Sequence, residues 1–248
     1  MKKIVVVGIG VGIGIIILAI GMFLIAINIY NTSRSYTKRA LILPNGERYH
    51  FWLYEPENEK FADLPLLIYF AGSGSRSNLD SVNYYAYPAF IKDGADFPFY
   101  MVAPFVNYSD DFDTDSRIEK TKMLIDYLVK SYPIDKNRII VSGGSAGARG
   151  AYRMASIYKD LFSCMVIGSG VVNKLDDANL THLPIWFLHG KKDNIIPYYS
   201  IQNHVDNINA LGGNAKITVY PNSGHEVTET AFREQEVIDW MISQKKSN

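Results

Sequence analysis

One segment, 143–147 (Gly-Gly-Ser-Ala-Gly), constrains the fold of this chain more than any other. It directly follows the apolar, β-branched run 138–141 and precedes a stretch that can form a helix from near Ala146. In a G-x-S-x-G sequence between a strand and a helix, the serine lies at the tip of a sharp turn and its hydroxyl is exposed. Glycines flank it because a Cβ there would collide with neighbouring backbone. The segment therefore predicts a nucleophile elbow with Ser145 as the nucleophile.

Two later loops contain the groups that would activate this serine. The apolar run 184–188 leads into a loop with Asp193, and the run 216–220 leads into a loop with His225. Loops that follow parallel strands meet at one edge of a sheet, where ligands bind. A serine hydroxyl is a poor nucleophile at neutral pH, so it needs a histidine to accept its proton and a carboxylate to orient that histidine. The chain order Ser, Asp, His is the one associated with the α/β-hydrolase fold.

A fourth segment strengthens the match to this family. Residues 69–74 (Tyr-Phe-Ala-Gly-Ser-Gly) follow a strand-like run and resemble the His-Gly-x-Gly oxyanion loop of α/β-hydrolases, with Ala71 in the place of the usual histidine. Residues 40–243 thus resemble a small serine esterase of the dienelactone-hydrolase and esterase type. Only about 17 residues separate the sixth and seventh predicted strands, which leaves no room for a cap domain.

The resemblance implies a reaction and a set of roles. It implies hydrolysis of a carboxylic ester through an acyl-enzyme on Ser145, with His225 as the base and Asp193 orienting it. The backbone N–H groups of Ala146 and of Ser73 or Gly74 would bind the oxyanion. The triad needs no cofactor and no metal. The expected substrate contains an ester, and the open site would accept a large or surface-attached one.

Other interpretations of these residues stay open at this stage. Asp176 or Asp177, which follow an earlier strand, could replace Asp193 as the acid, whereas His189 is expected to be structural. His50, His182 and His204 show no partner pattern and are expected to be ordinary surface or half-buried residues. Peptide cleavage, thioester cleavage and acyl transfer use the same triad. A non-catalytic binding module is a further alternative, because fold does not dictate function.

The N-terminal segment predicts a membrane anchor. Residues 4–30 contain no Asp, Glu, Lys or Arg, and a run of about 20 apolar residues suffices to span a bilayer as a helix. A cleaved signal peptide is the alternative, but its apolar region is usually shorter and precedes a small-residue cleavage site. The predicted organisation is an anchor at 1–30, a linker at 31–39 and a hydrolase domain at 40–248. We expect a single-pass membrane protein with an extracytoplasmic catalytic domain.

Strand and helix patterns predict the architecture of the remaining chain. A hairpin at 41–54 is followed by six strands that alternate with helical stretches. This alternation predicts an α/β fold with a mostly parallel, eight-stranded sheet and helices on both faces. In the clearest helix, 113–132, one face should be directed towards the core, and it is lined by Ile118, Met123 or Leu124, Tyr127 and Leu128.

Charge and aromatic content bear on possible partners. Residues 40–248 contain 20 Lys and Arg against 25 Asp and Glu, a net charge of −5, so a nucleic-acid partner is not expected. The sequence does not determine the oligomeric state. Seven aromatic residues are expected near the edge of the site, where each could bind an acyl chain, an aryl group or a sugar face, or could instead cover the core. They are Tyr84, Tyr85, Tyr87, Tyr108, Phe112, Tyr198 and Tyr199.

Overall fold

Eight strands form a single sheet within residues 35–56, 63–170, 172 and 174–246, which are the residues described by the computed structural model. The spatial order of the strands is β1-β2-β4-β3-β5-β6-β7-β8. β2 pairs with β4 in the antiparallel direction, and every pairing from β4 across to β8 is parallel. The sheet is therefore mixed, and its parallel part consists of the six strands predicted to alternate with helices. The strands are β1 (Ser35–Ile42), β2 (Arg48–Glu55), β3 (Leu64–Phe70), β4 (Tyr100–Pro104), β5 (Ile134–Gly144), β6 (Cys164–Gly168), β7 (Pro184–Gly190) and β8 (Asn214–Tyr220).

Helices cover both faces of this sheet, as predicted. The α-helices of the described chain are α1 (Ala86–Lys92), α2 (Asp115–Ser131), α3 (Gly147–Ile157), α4 (Tyr198–Ala210), α5 (Thr228–Ala231) and α6 (Gln235–Ser243). Helices α2, α3 and α4 pack on one face and share a hydrophobic core with it. Helices α1, α5 and α6 pack on the other face. Short 3-10 helices lie at Ser73–Arg76, Leu79–Tyr84, Lys174–Asn179 and His225–Val227.

The central strand β3 illustrates why its sequence is apolar almost throughout. Successive side chains of a strand point to opposite faces of the sheet. Leu66 and Ile68 therefore enter the core below α2 and α3, whereas Leu67 and Tyr69 enter the core below α1 and α6. A parallel sheet with helices on both faces buries both sets, so no polar alternation remains in the sequence.

The predicted hairpin is present and is longer than expected. Gly46 has a φ of +83°, a conformation that glycine adopts at little cost, and its N–H donates to the carbonyl of Leu43 at 2.8 Å. β1 begins at Ser35, so the sheet includes residues 35–39, which were predicted to belong to the linker. Tyr36 stacks on Trp52 with ring centroids 4.6 Å apart. Such cross-strand packing has no signature in a hydropathy profile.

Helix α2 lies close to its predicted position, but one of its predicted core residues is on the surface. The Thr114 side chain caps its N-terminus by accepting a hydrogen bond from the N–H of Arg117 at 3.3 Å. Ile118 and Leu128 are buried as expected, whereas Tyr127 is 44% exposed. The prediction for Tyr127 was wrong because only a narrow face of helix α2 packs on the sheet, and position 127 lies outside that face.

The predicted membrane span, 4–30, lies outside the described residues. Among the residues that the structure does describe, no helix is both long enough and apolar enough to cross a bilayer.

Candidate active site

Ser145 lies in the tight turn between β5 and α3. Its φ is +52°, a left-handed conformation that non-glycine residues seldom adopt. The N–H of Ser145 donates to the carbonyl of Gly168 at 3.0 Å, which connects the turn to β6. A Cβ at Gly143 would lie 2.7 Å from the carbonyl oxygen of Gly147, and one at Gly147 would lie 2.1 Å from that of Phe70. The sequence argument for glycine at both positions is therefore confirmed.

Asp193 lies in the loop after β7, and its side chain is fully buried. One carboxylate oxygen, Oδ1, accepts hydrogen bonds from the N–H groups of Ile195 and Ile196, both at 2.9 Å. Burial by itself would raise the pKa of Asp193, but hydrogen bonds from Ile196, His225 and Ile195 outweigh burial and lower it. The carboxylate is therefore ionised at neutral pH, and its second oxygen is directed at His225.

His225 follows β8 and contacts both of the other predicted residues. Its Nδ1 lies 2.8 Å from Oδ2 of Asp193, and its Nε2 lies 2.8 Å from Oγ of Ser145. A carboxylate at Nδ1 retains the proton there, which leaves Nε2 free to accept the serine proton. The three predicted residues, which come from three separate loops, thus form one continuous hydrogen-bonded chain.

His189 lies behind Asp193 and not in the open part of the site. It is buried at the end of β7, and its Nε2 lies 2.8 Å from the carbonyl oxygen of Ile196 and 3.2 Å from Oδ2 of Asp193. Burial lowers the pKa of His189 and outweighs the opposing effects of Ile196 and Asp193, so the ring is neutral at neutral pH. His189 therefore contacts the loop that holds Asp193, and the structural role expected from its sequence position stays a prediction.

The alternative acids lie elsewhere. Asp177 is fully buried and accepts hydrogen bonds from Tyr152, from Nδ1 of His204 at 2.9 Å and from Nδ2 of Asn207 at 2.8 Å. Asp176 lies 3.5 Å from the Arg153 guanidinium. His204 is half-buried, as expected, and its partner Asp177 could not be found from the sequence because it lies 27 residues earlier in the chain.

The loop after β3 contacts the nucleophile turn closely. A Cβ built on Gly72 would lie 3.3 Å from the Cβ of Ser145. The loop continues as the 3-10 helix Ser73–Arg76, in which the hydroxyl of Ser75 donates to the carbonyl of Gly72 at 2.6 Å. Among the described residues, the backbone N–H groups of Ser73, Gly74 and Ala146 have no backbone acceptor. All three predicted oxyanion donors are therefore free to bind a ligand.

A pocket of about 490 Å³ opens beside Ser145. Its wall includes Ser73, Gly74, Ser145 and His225. The predicted site omitted several other residues that line it, namely Tyr69, Ile195, Glu226, Thr228 and Glu229. Tyr69 has no signal in the sequence that marks it as a pocket residue, because β3 is buried on both faces and its pattern does not show which side chain reaches the pocket. No basic side chain except His225 is among the described residues that line this pocket.

Most of the predicted aromatic rim does not line this pocket. Of the seven aromatic residues, Tyr85 alone is among the described pocket residues, and its ring packs on Gly74. Tyr87 and Phe112 follow the core alternative, because both are buried in the core. Tyr87 stacks on Phe232, with ring centroids 5.1 Å apart. A tyrosine in a helix next to the site has the same local sequence whether it faces a ligand or the core.

Metal binding requires several ligand side chains to lie close together. Within the described ranges, no group of three or more His, Cys, Asp or Glu side chains is arranged to hold a metal ion.

Comparison with known proteins agrees with this geometry. The model of the phospholipase/carboxylesterase family matches residues 94–239, which is more than half of the chain. No curated protein sequence matches significantly. A solved thermostable esterase is 20% identical with a TM-score of 0.72, over 85% of this chain and 63% of that one. The chain therefore spans less than two thirds of that esterase.

Two proteins of Staphylococcus aureus are matched over nearly their full length. An S-formylglutathione hydrolase is 16% identical with a TM-score of 0.67, over 84% of this chain and 99% of that one. A fluorophosphonate-binding serine hydrolase, solved with substrate bound, is 16% identical with a TM-score of 0.68, over 85% of this chain and 99% of that one. At these identities the structural likeness establishes the fold, and the family match establishes the family. The chain belongs to the phospholipase/carboxylesterase family and is a serine hydrolase with the α/β-hydrolase fold.

Proposed function

We propose that this protein hydrolyses carboxylic esters with Ser145 as nucleophile, His225 as general base and acid, and Asp193 as the residue that orients His225. The observation that supports this proposal is the unbroken series of contacts from Asp193 Oδ2 to His225 Nδ1 and from His225 Nε2 to Ser145 Oγ, both 2.8 Å long. Esters rank above peptides as substrates because the matched family is the phospholipase/carboxylesterase family.

In the acylation step, Oγ of Ser145 attacks the ester carbonyl carbon while His225 Nε2 accepts the hydroxyl proton. The carbonyl π electrons move to oxygen and give a tetrahedral oxyanion. The oxyanion collapses, the bond to the alcohol oxygen breaks, and His225 returns its proton to that oxygen. The ionised Asp193 stabilises the imidazolium that exists between these two proton transfers.

Deacylation repeats the sequence with water. His225 accepts a proton from a water molecule, whose oxygen attacks the acyl carbon, and the proton passes to Oγ of Ser145 as the acid leaves. In both steps the N–H groups of Ala146 and of Ser73 or Gly74 donate to the oxyanion. One such donor typically contributes about 10²–10³ in turnover. Their contribution relies on backbone, so the alanine at position 71 does not remove it.

The proposal extends to the N-terminal segment. We propose that residues 4–30 anchor the hydrolase domain in a membrane, with the domain on the extracytoplasmic side; the support is the uncharged apolar composition of this segment. Alkaline carbonate washing of membranes that contain the full-length chain should leave the chain in the pellet. Release into the supernatant would argue against the anchor.

The reactivity of Ser145 is the first thing to test. The full-length chain should react covalently with a fluorophosphonate probe, and Ser145→Ala should abolish both labelling and hydrolysis of p-nitrophenyl butyrate. Ser142→Ala is a matched control, because Ser142 is buried in the same strand, three residues before the nucleophile. It should label like the wild type. Labelling that persists in Ser145→Ala, or a folded wild type that never labels, would refute the proposed function.

A further inference from the structure

Tyr69 is one of the polar residues of the pocket beside Ser145 that the triad mechanism does not use. Tyr69 is only 1% exposed, yet it contributes to the pocket wall. Its hydroxyl has no hydrogen-bonding partner among the described residues, although other buried tyrosines have one. The hydrogen-bonding partner of this hydroxyl is therefore whatever fills the pocket, either a water molecule or a ligand atom.

The position of this hydroxyl relates it directly to the reacting atoms. A Cβ built on Gly144 would lie 3.1 Å from the Tyr69 hydroxyl oxygen, and Gly144 immediately precedes the nucleophile Ser145. The methyl group of Thr228, another pocket residue, would lie 3.6 Å from the same Cβ built on Gly144. The hydroxyl is therefore next to the turn that holds the nucleophile.

The surroundings of the ring hold the hydroxyl in place. The Tyr69 ring packs edge-to-face on Tyr87 and Phe232, with centroids 5.5 Å and 6.0 Å away. Its backbone lies in β3, paired with β5 opposite Ser142. Burial raises the pKa of Tyr69 well above its ordinary value, so the phenol retains its proton and can donate. A rigid donor of this kind binds an acceptor at little entropic cost.

We propose that the Tyr69 hydroxyl donates a hydrogen bond to a substrate acceptor atom a few bonds from the scissile carbonyl, and so selects esters with an oxygen at that position over plain hydrocarbon esters. The inference deepens the proposed function and rests on it. In the free enzyme the hydroxyl faces a pocket that water can enter. A hydrocarbon chain would displace that water and leave the donor unsatisfied, whereas an ether, hydroxyl or carbonyl oxygen would replace it.

The test compares esters of equal length. p-Nitrophenyl butyrate and p-nitrophenyl methoxyacetate differ by one methylene replaced with oxygen on the acyl side. Butyl acetate and 2-methoxyethyl acetate form the same comparison on the alcohol side, followed by pH-stat. The intrinsic reactivities differ within each pair. The informative quantity is therefore the change in the ratio of kcat/KM values between wild type and Tyr69→Phe, in which intrinsic reactivity cancels.

Tyr69→Phe should lower kcat/KM for the oxygen-containing ester of one pair about tenfold more than for its hydrocarbon partner, which corresponds to one neutral hydrogen bond. Tyr87→Phe is the matched control: Tyr87 is equally buried in the same aromatic cluster, but its hydroxyl contacts Sδ of Met241 at 3.6 Å. It should leave both ratios unchanged. A selective loss in either pair supports the proposal, and the pair affected identifies the side of the substrate.

Equal loss for both members of both pairs would overturn the proposal, since that result indicates a general role in catalysis or packing. Unchanged rates in Tyr69→Phe would overturn it as well. Fluorophosphonate labelling separates this failure from failure of the proposed function. If wild type and Tyr69→Phe both label and hydrolyse butyrate, the triad is active and the failure concerns Tyr69 alone. If the wild type does neither, the proposed function itself fails.

Discussion

Among the described residues, two Asp–His pairs are formed through Nδ1 of the histidine, and they have different consequences. In the first pair, Nδ1 of His225 lies 2.8 Å from the buried carboxylate of Asp193. In the second, Nδ1 of His204 lies 2.9 Å from the buried carboxylate of Asp177. The two contacts differ in length by only 0.1 Å, and both are formed by Nδ1 of the histidine. Judged by this contact alone, either pair could serve as the acid and base of a hydrolase.

The difference lies in what else each pair contacts. The other ring nitrogen of His225 faces the hydroxyl of Ser145, on a strained turn beside a pocket. The carboxylate of Asp177 is instead shared by His204, Tyr152 and Asn207, from helices α3 and α4. The hydrogen bonds of Asp177 therefore connect helices α3 and α4 and stabilise their packing. A histidine in contact with an aspartate can act as a general base only where its second ring nitrogen faces a nucleophile beside a binding site.

The largest effect that would test this contrast is expected from Asp193→Asn. The amide oxygen can still accept from Ile195 and Ile196, which turns the amide NH₂ towards Nδ1 of His225. The ring proton of His225 then moves from Nδ1 to Nε2. A protonated Nε2 cannot accept the proton of the Ser145 hydroxyl. We expect kcat for p-nitrophenyl butyrate to fall by about 10⁴.

Thermal melting provides the control for this variant, because the fold should persist. A kcat within tenfold of the wild type would remove Asp193 from the triad and bring the other Asp–His pair back into consideration.

Asp177→Asn should have the opposite profile. Asp177 accepts from three side chains, and an amide group presents a donor to at least one of them. We expect the free energy of unfolding to drop by about 1–3 kcal/mol, the cost of an unsatisfied buried polar group. The kcat should stay within about twofold, because no part of this network touches Ser145. Denaturant titration and steady-state kinetics on one preparation measure both quantities, and a kcat loss comparable to that of Asp193→Asn would abolish the distinction between the pairs.

The smallest expected effect is a decrease in the free energy of unfolding at acidic pH. The pKa of His189 is lowered from 6.5, so the unfolded chain binds its proton more readily than the folded chain does. Folded stability should therefore fall as pH drops below about 6.5. Asp193 adds to this loss only at lower pH, because its pKa is lowered from 3.8 and its stabilisation disappears as pH falls through that lowered value.

His189→Gln isolates this contribution. Glutamine retains an N–H donor for the carbonyl of Ile196 but does not titrate. Melting temperatures between about pH 7 and about pH 5 should decline less steeply for the variant than for the wild type. Parallel curves for the two proteins would show that His189 does not control this pH range.

Much of the site could be predicted because its signals are local. The turn around Ser145 requires glycines at set positions, and a strand followed by a polar loop locates Asp193 and His225 at one edge of a parallel sheet. The same reasoning predicted helices on both faces and the hairpin near Gly46. Each of these inferences depends on residues within a few positions of one another.

The features that the sequence left open or predicted wrongly have a shared physical origin. Whether Tyr87 and Phe112 face the site or the core, where Tyr127 lies and which group His204 contacts all depend on contacts between distant segments. The residues that a side chain contacts across a helix–sheet interface cannot be predicted from the sequence around that side chain. The alternatives to Asp193 stayed open for the same reason.

The sequence alone determined the family, the order of strands along the chain, the serine and histidine of the site and the backbone segments around them, because turn geometry and strand periodicity are encoded in short stretches of sequence. Tertiary structure alone decided which aspartate faces His225, which tyrosine reaches the pocket and which aromatics are buried. Those outcomes depend on how two faces of one sheet are packed, and packing joins residues that are far apart in the chain.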